Sequence, residues 1–375
     1  MGVDRGLLMK RRFEREVTNS DIGELLATAA ESATYPLQKA LRRAGRASFT
    51  WPVEAAELIR HGHSLTELSG VGPFLDGLIR KWLTESREIP PKDELRRNFF
   101  TWPEAQKILA KVPDWKAALR GDLQMHTEWS DGSGTVRAMA EAAIERGYSY
   151  IAITDHGKKL KIAGGINEAE LERQGKEIAK LNDEFSGKSF RILRSIEMNL
   201  DPQGNGDMEP EALGKLDLVL GAFHSSLRRT EDQTERYLAA LRNPNLHILG
   251  HPRGRIYNYR LGLKADWERV FDEAARLGKA VEIDCYPDRQ DLSIDLIKKA
   301  RDAGAMISLG TDSHHPWQLE FIDLGVAAAA QAKIPKEKIL NFMDVEDLLG
   351  WVQSLRNERR GSTRSKMSQR QRISK

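Results

Sequence analysis

Between residues 17 and 110 apolar side chains recur at helical spacing, as in Ile22-Leu25-Leu26-Ala29 and Leu37-Leu41, with few β-branched runs. A face that repeats every three to four residues buries one side of a helix, so this stretch predicts a small all-helical module. From Gly121 onward the texture changes to short apolar segments alternating with amphipathic ones. The short segments predict strands at 122–126, 150–154, 191–197, 216–223, 246–250, 280–284 and 305–309. Helices fit between them at 136–146, 168–185, 233–241, 266–277 and 295–303. Such alternation is the signature of βα units returning to one parallel sheet or barrel. No internal repeat or long linker interrupts it, so it reads as one domain.

The 375-residue chain is 40% hydrophobic and 30% charged, enough apolar content for one large domain or two domains with real cores. No apolar run approaches the ~18 residues of a membrane span, and the N-terminus lacks a signal core, which makes the cytoplasm the expected compartment. A single cysteine, Cys285, excludes an internal disulfide framework and a Cys-rich zinc site. Any metal must therefore be taken by His, Asp and Glu.

The net charge of +3 is unevenly placed. Arg356, Arg359, Arg360, Arg364, Lys366, Arg370, Arg372 and Lys375 face one acid, Glu358, in the last stretch, so 356–375 carries +7 and the remainder −4. Such a segment cannot build a core and predicts a disordered basic tail, able to attract phosphate backbones or simply to solubilise. Residues 1–16 predict a flexible N-terminus.

The chemistry lies at the strand ends. His126, His156, Glu197, His224, His251 and the Asp312/His314 pair each fall at or just beyond the carboxyl end of a predicted strand, the rim where βα folds place their sites. One histidine there is usually a packing or capping residue. Several polar groups converging from separate strands are costly unless something satisfies them, and metal ions do so. Imidazole and carboxylate without thiolate suit zinc, manganese or ferrous iron, and two or three such ions can activate water and clamp a phosphate. No Gly-x-Ser-x-Gly elbow, P-loop or dinucleotide fingerprint competes with this reading.

The stretches Gly121-Asp-Leu-Gln-Met-His126-Thr-Glu-Trp-Ser-Asp131-Gly and Ile153-Thr-Asp-His156, then Glu197, Phe223-His224-Ser-Ser, Leu249-Gly-His251-Pro-Arg-Gly-Arg255 and Gly310-Thr-Asp312-Ser-His314, resemble in order the motifs of the PHP (polymerase and histidinol phosphatase) superfamily. The likeness spans roughly 118–350 and is greatest to the PHP domain of bacterial family X DNA polymerases. It implies a distorted (βα)7 TIM-like barrel of α/β class with a trinuclear centre. One ion would be held by His126, Glu197 and Asp312, a second by Glu197, His224 and His251, and a third by Asp131, His156 and His314. Phosphoester hydrolysis by a metal-bridged hydroxide follows, with Glu197, His224 and Asp312 central to catalysis. Where the family usually opens with His-x-His, this chain has Gln124, which is counted with the ligands but binds more weakly than imidazole. Where the family often has Asn, it has Asp284. Arg255 and Arg289 are candidates for substrate phosphate, against a reading as surface ion pairs.

Leu65-Thr-Glu-Leu68-Ser-Gly70-Val-Gly72-Pro-Phe-Leu-Asp-Gly-Leu-Ile79 has the form of a helix-hairpin-helix. Gly70 and Gly72 permit the tight turn that exposes backbone N–H groups to a DNA phosphate, and Arg80 and Lys81 follow. The hairpin equally serves as a plain helix turn. Family X polymerases carry a similar motif but also need a palm with an Asp-x-Asp metal pair, which this sequence lacks, so nucleotide polymerisation is not expected. The expected function is hydrolysis of phosphate esters on DNA ends, as a 3′–5′ exonuclease or 3′-phosphatase in DNA repair. The alternatives are a small-molecule phosphomonoesterase of the histidinol-phosphatase type and a non-catalytic DNA-binding scaffold.

Overall fold

The structure is a computed structural model that describes residues 16–85 and 88–357. The flexible N-terminus expected for 1–16 and the basic tail expected from 356 lie outside the described residues, apart from their inner ends. There Arg356 departs from expectation: it belongs to a helix running over 345–357, and its Nη2 donates to the Leu216 carbonyl at 2.7 Å. The described residues form two compact units, one from the stretch up to 111 with 256–261, the other from 112–255 with 262–357.

The first unit is helical, with helices Asn19–Ser32, Leu37–Ala47, Ala55–Arg60, Pro73–Thr84 and Trp102–Leu109. A capping box starts the first of them: the Thr18 hydroxyl accepts from the Asp21 backbone N–H and the Asp21 carboxylate accepts from that of Thr18. The predicted period puts Ile22, Leu26 and Leu41 in the core beside Trp51, Leu65 and Ile79, all fully buried. Each such side chain contributes roughly 1.5–3 kcal/mol by leaving water. The indole of Trp51 is satisfied by donating to the Ser69 carbonyl at 2.9 Å. Gly70 takes φ +80° in the hairpin turn, and this backbone conformation selects glycine, since a Cβ there would meet Ala44 and Ala47 only at ordinary contact distance, 3.4–3.5 Å. The segment 256–261 was not foreseen in this unit. Tyr257 joins it by packing edge-on against Phe49 and Phe99, with ring centroids 4.6 and 5.4 Å away.

The second unit is built on parallel strands: β1 (Gly121–Asp122), β2 (Tyr150–Ile153), β3 (Arg191–Arg194), β4 (Glu197–Asn199), β5 (Leu220–Ala222), β6 (Ile248–Leu249), β7 (Ala280–Asp284) and β8 (Met306–Gly310). They pair in the orders β1-β2-β3 and β4-β5-β6-β7-β8. The single strand expected at 191–197 is interrupted at Ser195 and Ile196, giving β3 and β4. The Ile196 carbonyl still accepts from Leu220 N at 3.2 Å, and Glu197 N still donates to the Asp155 carbonyl at 3.1 Å. The last strand returns to the first. Leu123 N donates to Leu309 O, Asp312 N to Gln124 O and His126 N to Ser313 O, at 3.3, 3.1 and 2.8 Å. These bonds close the ring of strands. Buried Asp122 pins the closure, accepting from Thr311 N (3.1 Å) and Thr311 Oγ1 (2.5 Å). Helices Val136–Glu145, Glu168–Phe185, Thr234–Arg242, Trp267–Arg276 and Ile294–Asp302 connect the strands, within a residue or so of the predicted positions.

Leu123, Tyr150, Leu193, Leu220, Ile248 and Ala280 form a core with Leu340, Leu348 and Val352. Tyr150 donates its hydroxyl proton toward the carbonyls of Leu340 and Met343, at 3.1 and 3.2 Å. The polar groups of the strands collect at the carboxyl ends.

Candidate metal centre

Each side chain of the cluster is set by a strand end or by the loop leaving it. Glu197 opens β4, His224 follows β5, His251 follows β6, and Asp312 and His314 follow β8. His126 and Asp131 bracket a loop folded back on itself. Its Thr127 N and Oγ1 donate to Asp155 at 2.8 and 2.7 Å, and Ser130 Oγ and Gln174 Nε2 donate to the same carboxylate at 2.5 and 2.6 Å. Gly132 must lack a side chain there, since a Cβ would lie 2.5 Å from the His126 carbonyl oxygen. His251 and Asp312 both hold positive φ, +22° and +51°. Non-glycine residues keep such angles only where their surroundings over-determine them.

Glu197, fully buried, is the hub. Its Oε1 lies 2.7 Å from His251 Nε2 and 3.1 Å from His224 Nε2. Its Oε2 lies 2.9 Å from His156 Nδ1 and 3.5 Å from His126 Nε2. His126 Nε2 is also 2.9 Å from Asp312 Oδ1. Asp131 Oδ1 is 3.3 Å from His314 Nε2 and 3.5 Å from His156 Nε2. The His126 ring stacks between those of His156 and His314, with centroids 4.2 and 4.6 Å away. The structure thus brings together His126, Asp131, His156, Glu197, His224, His251, Asp312 and His314.

The electrostatics are those of a site that wants cations. Burial alone would raise the Glu197 pKa, but the imidazoles of His224, His156 and His251 hold it well below the usual carboxylate range. Burial would likewise strip the proton from His251, yet Glu197 pulls its pKa up to about 10. For His314, burial is outweighed by the Asp131 and Asp312 carboxylates, and its pKa rises to about 9.

The donor set fits divalent ions. Oε2 of Glu197 and Nδ1 of His156, though 2.9 Å apart, are not aligned to hydrogen-bond. With His126 Nδ1 they are buried and lack hydrogen bonds among the described residues. Buried polar atoms left so in a native fold call for an explanation, and bound cations would supply one. Two sets, His126/Asp131/His156/His314 and His156/Glu197/His224, each offer ligand atoms within 4.8 Å of one another. Nitrogen and oxygen donors without sulfur suit zinc, manganese or ferrous iron.

A second layer of residues orients these groups, and the sequence reading passed over it. His224 Nδ1 donates to Asn199 Oδ1 at 2.6 Å, and Asn199 is held by Asp207, donating from Nδ2 and N at 2.9 and 3.0 Å. That turns the Nε2 lone pair of His224 toward Glu197, the tautomer a ligand requires. Asp291 accepts from the backbone N–H groups of Arg253 and Gly254 at 2.8 and 2.7 Å, shaping the loop after His251. Asp155 was visible only as the neighbour of His156; nothing in the local sequence marked Asn199, Asp207 or Asp291.

Two expectations are corrected. Gln124 is engaged with a carboxyl group outside the His/Asp/Glu cluster. With its amide oriented by the hydrogen-bond network, its nitrogen donates to both carboxylate oxygens of Glu282 at 2.6 and 2.8 Å. Glu282 is fully buried, and it also accepts from His251 N at 2.7 Å. Gln124 is committed because this carboxyl group needs donors. Arg255 is equally committed: it is buried, and its Nε donates to the carbonyls of Arg289 and Gln290 at 2.9 and 3.0 Å, so it braces a loop instead of facing a phosphate. Arg289 does reach the cluster. Its Nη1 contacts Asp312 and lies 3.9 Å from Asp284, while about a third of the side chain stays exposed. Gly70, Gly72, Arg80 and Lys81 belong to the helical unit.

Parallel strands alternating with helices, ringed at one end by imidazoles and carboxylates, define an α/β protein with a cation-binding rim. Residues 122–286 match the family described as PHP domain, so the second unit carries a PHP domain. It is 37% identical over 231 residues to the Bacillus subtilis (strain 168) protein named DNA polymerase/3′-5′ exonuclease PolX. The match covers 61% of this chain and spans only 40% of that relative's length. It is 28% identical over 232 residues to a probable phosphatase of Thermoanaerobacter sp. (strain X514), covering 59% of this chain and 89% of that one. Among solved structures, histidinol phosphate phosphatase from Lactococcus lactis, complexed with zinc, L-histidinol and phosphate, aligns with a TM-score of 0.42 at 20% identity. That alignment covers 58% of this chain and 94% of the other.

Proposed function

We propose that the chain is a metal-dependent phosphoesterase that hydrolyses phosphate esters at DNA ends, as a 3′–5′ exonuclease or 3′-phosphatase in DNA repair. The observation that carries the hydrolytic part is the meeting of His156, His224 and His251 on the two oxygens of one buried carboxylate, Glu197. Two or three divalent ions, manganese, zinc or ferrous iron, would supply Lewis-acid activation of water and neutralise charge developing on phosphate oxygens. His126, Glu197 and Asp312 would hold one ion, with Glu197 shared toward His224 and His251, and Asp131, His156 and His314 would hold another. Arg289, partly exposed beside Asp312, is placed to hold a phosphate oxygen through its planar fork. Asn199 and Asp155 keep the ligands oriented before substrate arrives, so little rearrangement is left for the reaction itself.

The nucleic-acid part rests on the similarity to the Bacillus protein and on the hairpin of the helical unit. A second reading, hydrolysis of a small phosphomonoester, is favoured by the probable phosphatase whose length the match nearly spans. The deciding experiment gives the full chain manganese, zinc or iron, and 3′-recessed DNA, 3′-phosphorylated DNA and a small aryl phosphate at rising salt. The DNA reading expects turnover of a DNA end that falls steeply with ionic strength. Turnover of the aryl phosphate alone, indifferent to salt, supports the second reading instead.

A further inference from the structure

The sequence points to the hairpin for nucleic acid, yet its two cations are already answered. Arg80 Nε lies 2.6 Å from Asp76 Oδ1 and also donates to the His63 carbonyl, and Lys81 lies 4.0 Å from Glu85. Helix Leu37–Ala47 is the opposite case. It carries Lys39, Arg42, Arg43 and Arg46 and no acid, although residues 16–111 hold 13 acidic and 13 basic side chains. Those four fall at i, i+3, i+4 and i+7, one stripe of the helix. Leu41, Ala44 and Gly45 bury the other side, and all four cations are exposed. Among the described residues none of the four takes part in an ion pair.

Beside the stripe is an open pocket of about 280 Å³, lined by Arg42 and Arg46 together with Glu31, Tyr257, Asn258 and Tyr259. The one carboxylate there, Glu31, is compensated by Arg96 Nη1 at 3.3 Å. Tyr259 is 54% exposed and Tyr35, just before the helix, 77%. A cationic track flanked by exposed aromatic rings is what a single strand needs: charge for its phosphates and flat faces for unpaired bases.

We propose that the Lys39/Arg42/Arg43/Arg46 stripe and its pocket are the single-stranded DNA contact of this chain, with phosphates along the cations and an unpaired base beside Tyr259. This deepens the DNA-directed reading above and rests on it. The test measures binding of a fluorescein-labelled oligothymidine to the full chain by anisotropy across a salt series. Arg42→Gln/Arg46→Gln is expected to weaken binding about tenfold or more and to flatten the slope of log K against log salt by about 1.4, at roughly 0.7 per lost charge on a single strand. Tyr259→Ala is expected to weaken binding with the slope unchanged, and Arg80→Gln/Lys81→Gln to leave both nearly intact. Hydrolysis of a small aryl phosphate and the melting temperature serve as controls for folding. If the wild type binds and the Arg42/Arg46 variant binds with the same affinity and slope, the proposal is overturned while the DNA reading stands. If the folded wild type hydrolyses the aryl phosphate but does not bind the oligothymidine even at low salt, the DNA reading falls with it.

Discussion

His251 Nε2 and Glu197 Oε1 lie 2.7 Å apart with Glu197 wholly buried, and two further imidazoles share that carboxylate. On the proposed reading Glu197 would be shared between two cations. Losing an orienting partner in a metal site costs about 10–100-fold, so losing the shared ligand costs more. Glu197→Gln keeps the size and removes the charge. Metal analysis of the purified variant should show at least one ion lost per chain, with hydrolysis down by more than ~100-fold.

Asn199 fixes the tautomer of His224 through a 2.6 Å bond and is itself fixed by Asp207. Asn199→Leu leaves every ligand in place but frees the ring. Its affinity for zinc, measured by competition with a chelator, should fall about 10–100-fold. A variant that binds metal like the wild type shows that the pair is incidental.

The amide nitrogen of Gln124 donates to the carboxyl group of Glu282. Gln124→Met therefore takes one donor from a buried carboxyl that keeps only His251 N among the described residues, a loss of about 1–3 kcal/mol, without touching the His/Asp/Glu cluster. Urea denaturation should report the destabilisation while metal content holds at the wild-type value. Loss of an ion instead would restore Gln124 to the ligand set.

His247, buried away from the cluster's ligands, accepts from Val219 N at 2.9 Å through Nδ1. Burial, with Arg356 and Lys279 nearby, lowers its pKa to about 3. The folded ring stays neutral while the unfolded one takes a proton near pH 6.5. The unfolded state thus binds more protons between these values, so this contribution is complete above about pH 6.5 and declines as pH falls toward 3, by at most ~1.4 kcal/mol per pH unit. His247→Gln keeps an acceptor but does not titrate. Metal-free melts between pH 7 and 5 should fall less steeply for the variant than for the wild type.

The residues of the cluster were legible because strand ends are short-range features: an apolar run followed by His or Asp fixes both the element and the rim on which the residue sits. The orienting layer was not, because it depends on which loops meet. Asn199 and Asp207 are ordinary polar residues until a turn brings them together, and Arg255 reads as a phosphate ligand until the 289–290 backbone closes on it. Tyr257 was invisible as a helical-unit residue because its partners, Phe49 and Phe99, lie far away in sequence. No local period encodes such a contact.

The most direct measurement removes metal from the purified full chain, titrates manganese or zinc back, and follows bound ions and phosphoester hydrolysis together, with His224→Ala alongside. Two or more ions per chain are expected, with hydrolysis that rises with loading and little of it in the variant. Fewer than one ion per chain at saturation, or equal hydrolysis with and without the His224 imidazole, would contradict metal-dependent hydrolysis at this cluster.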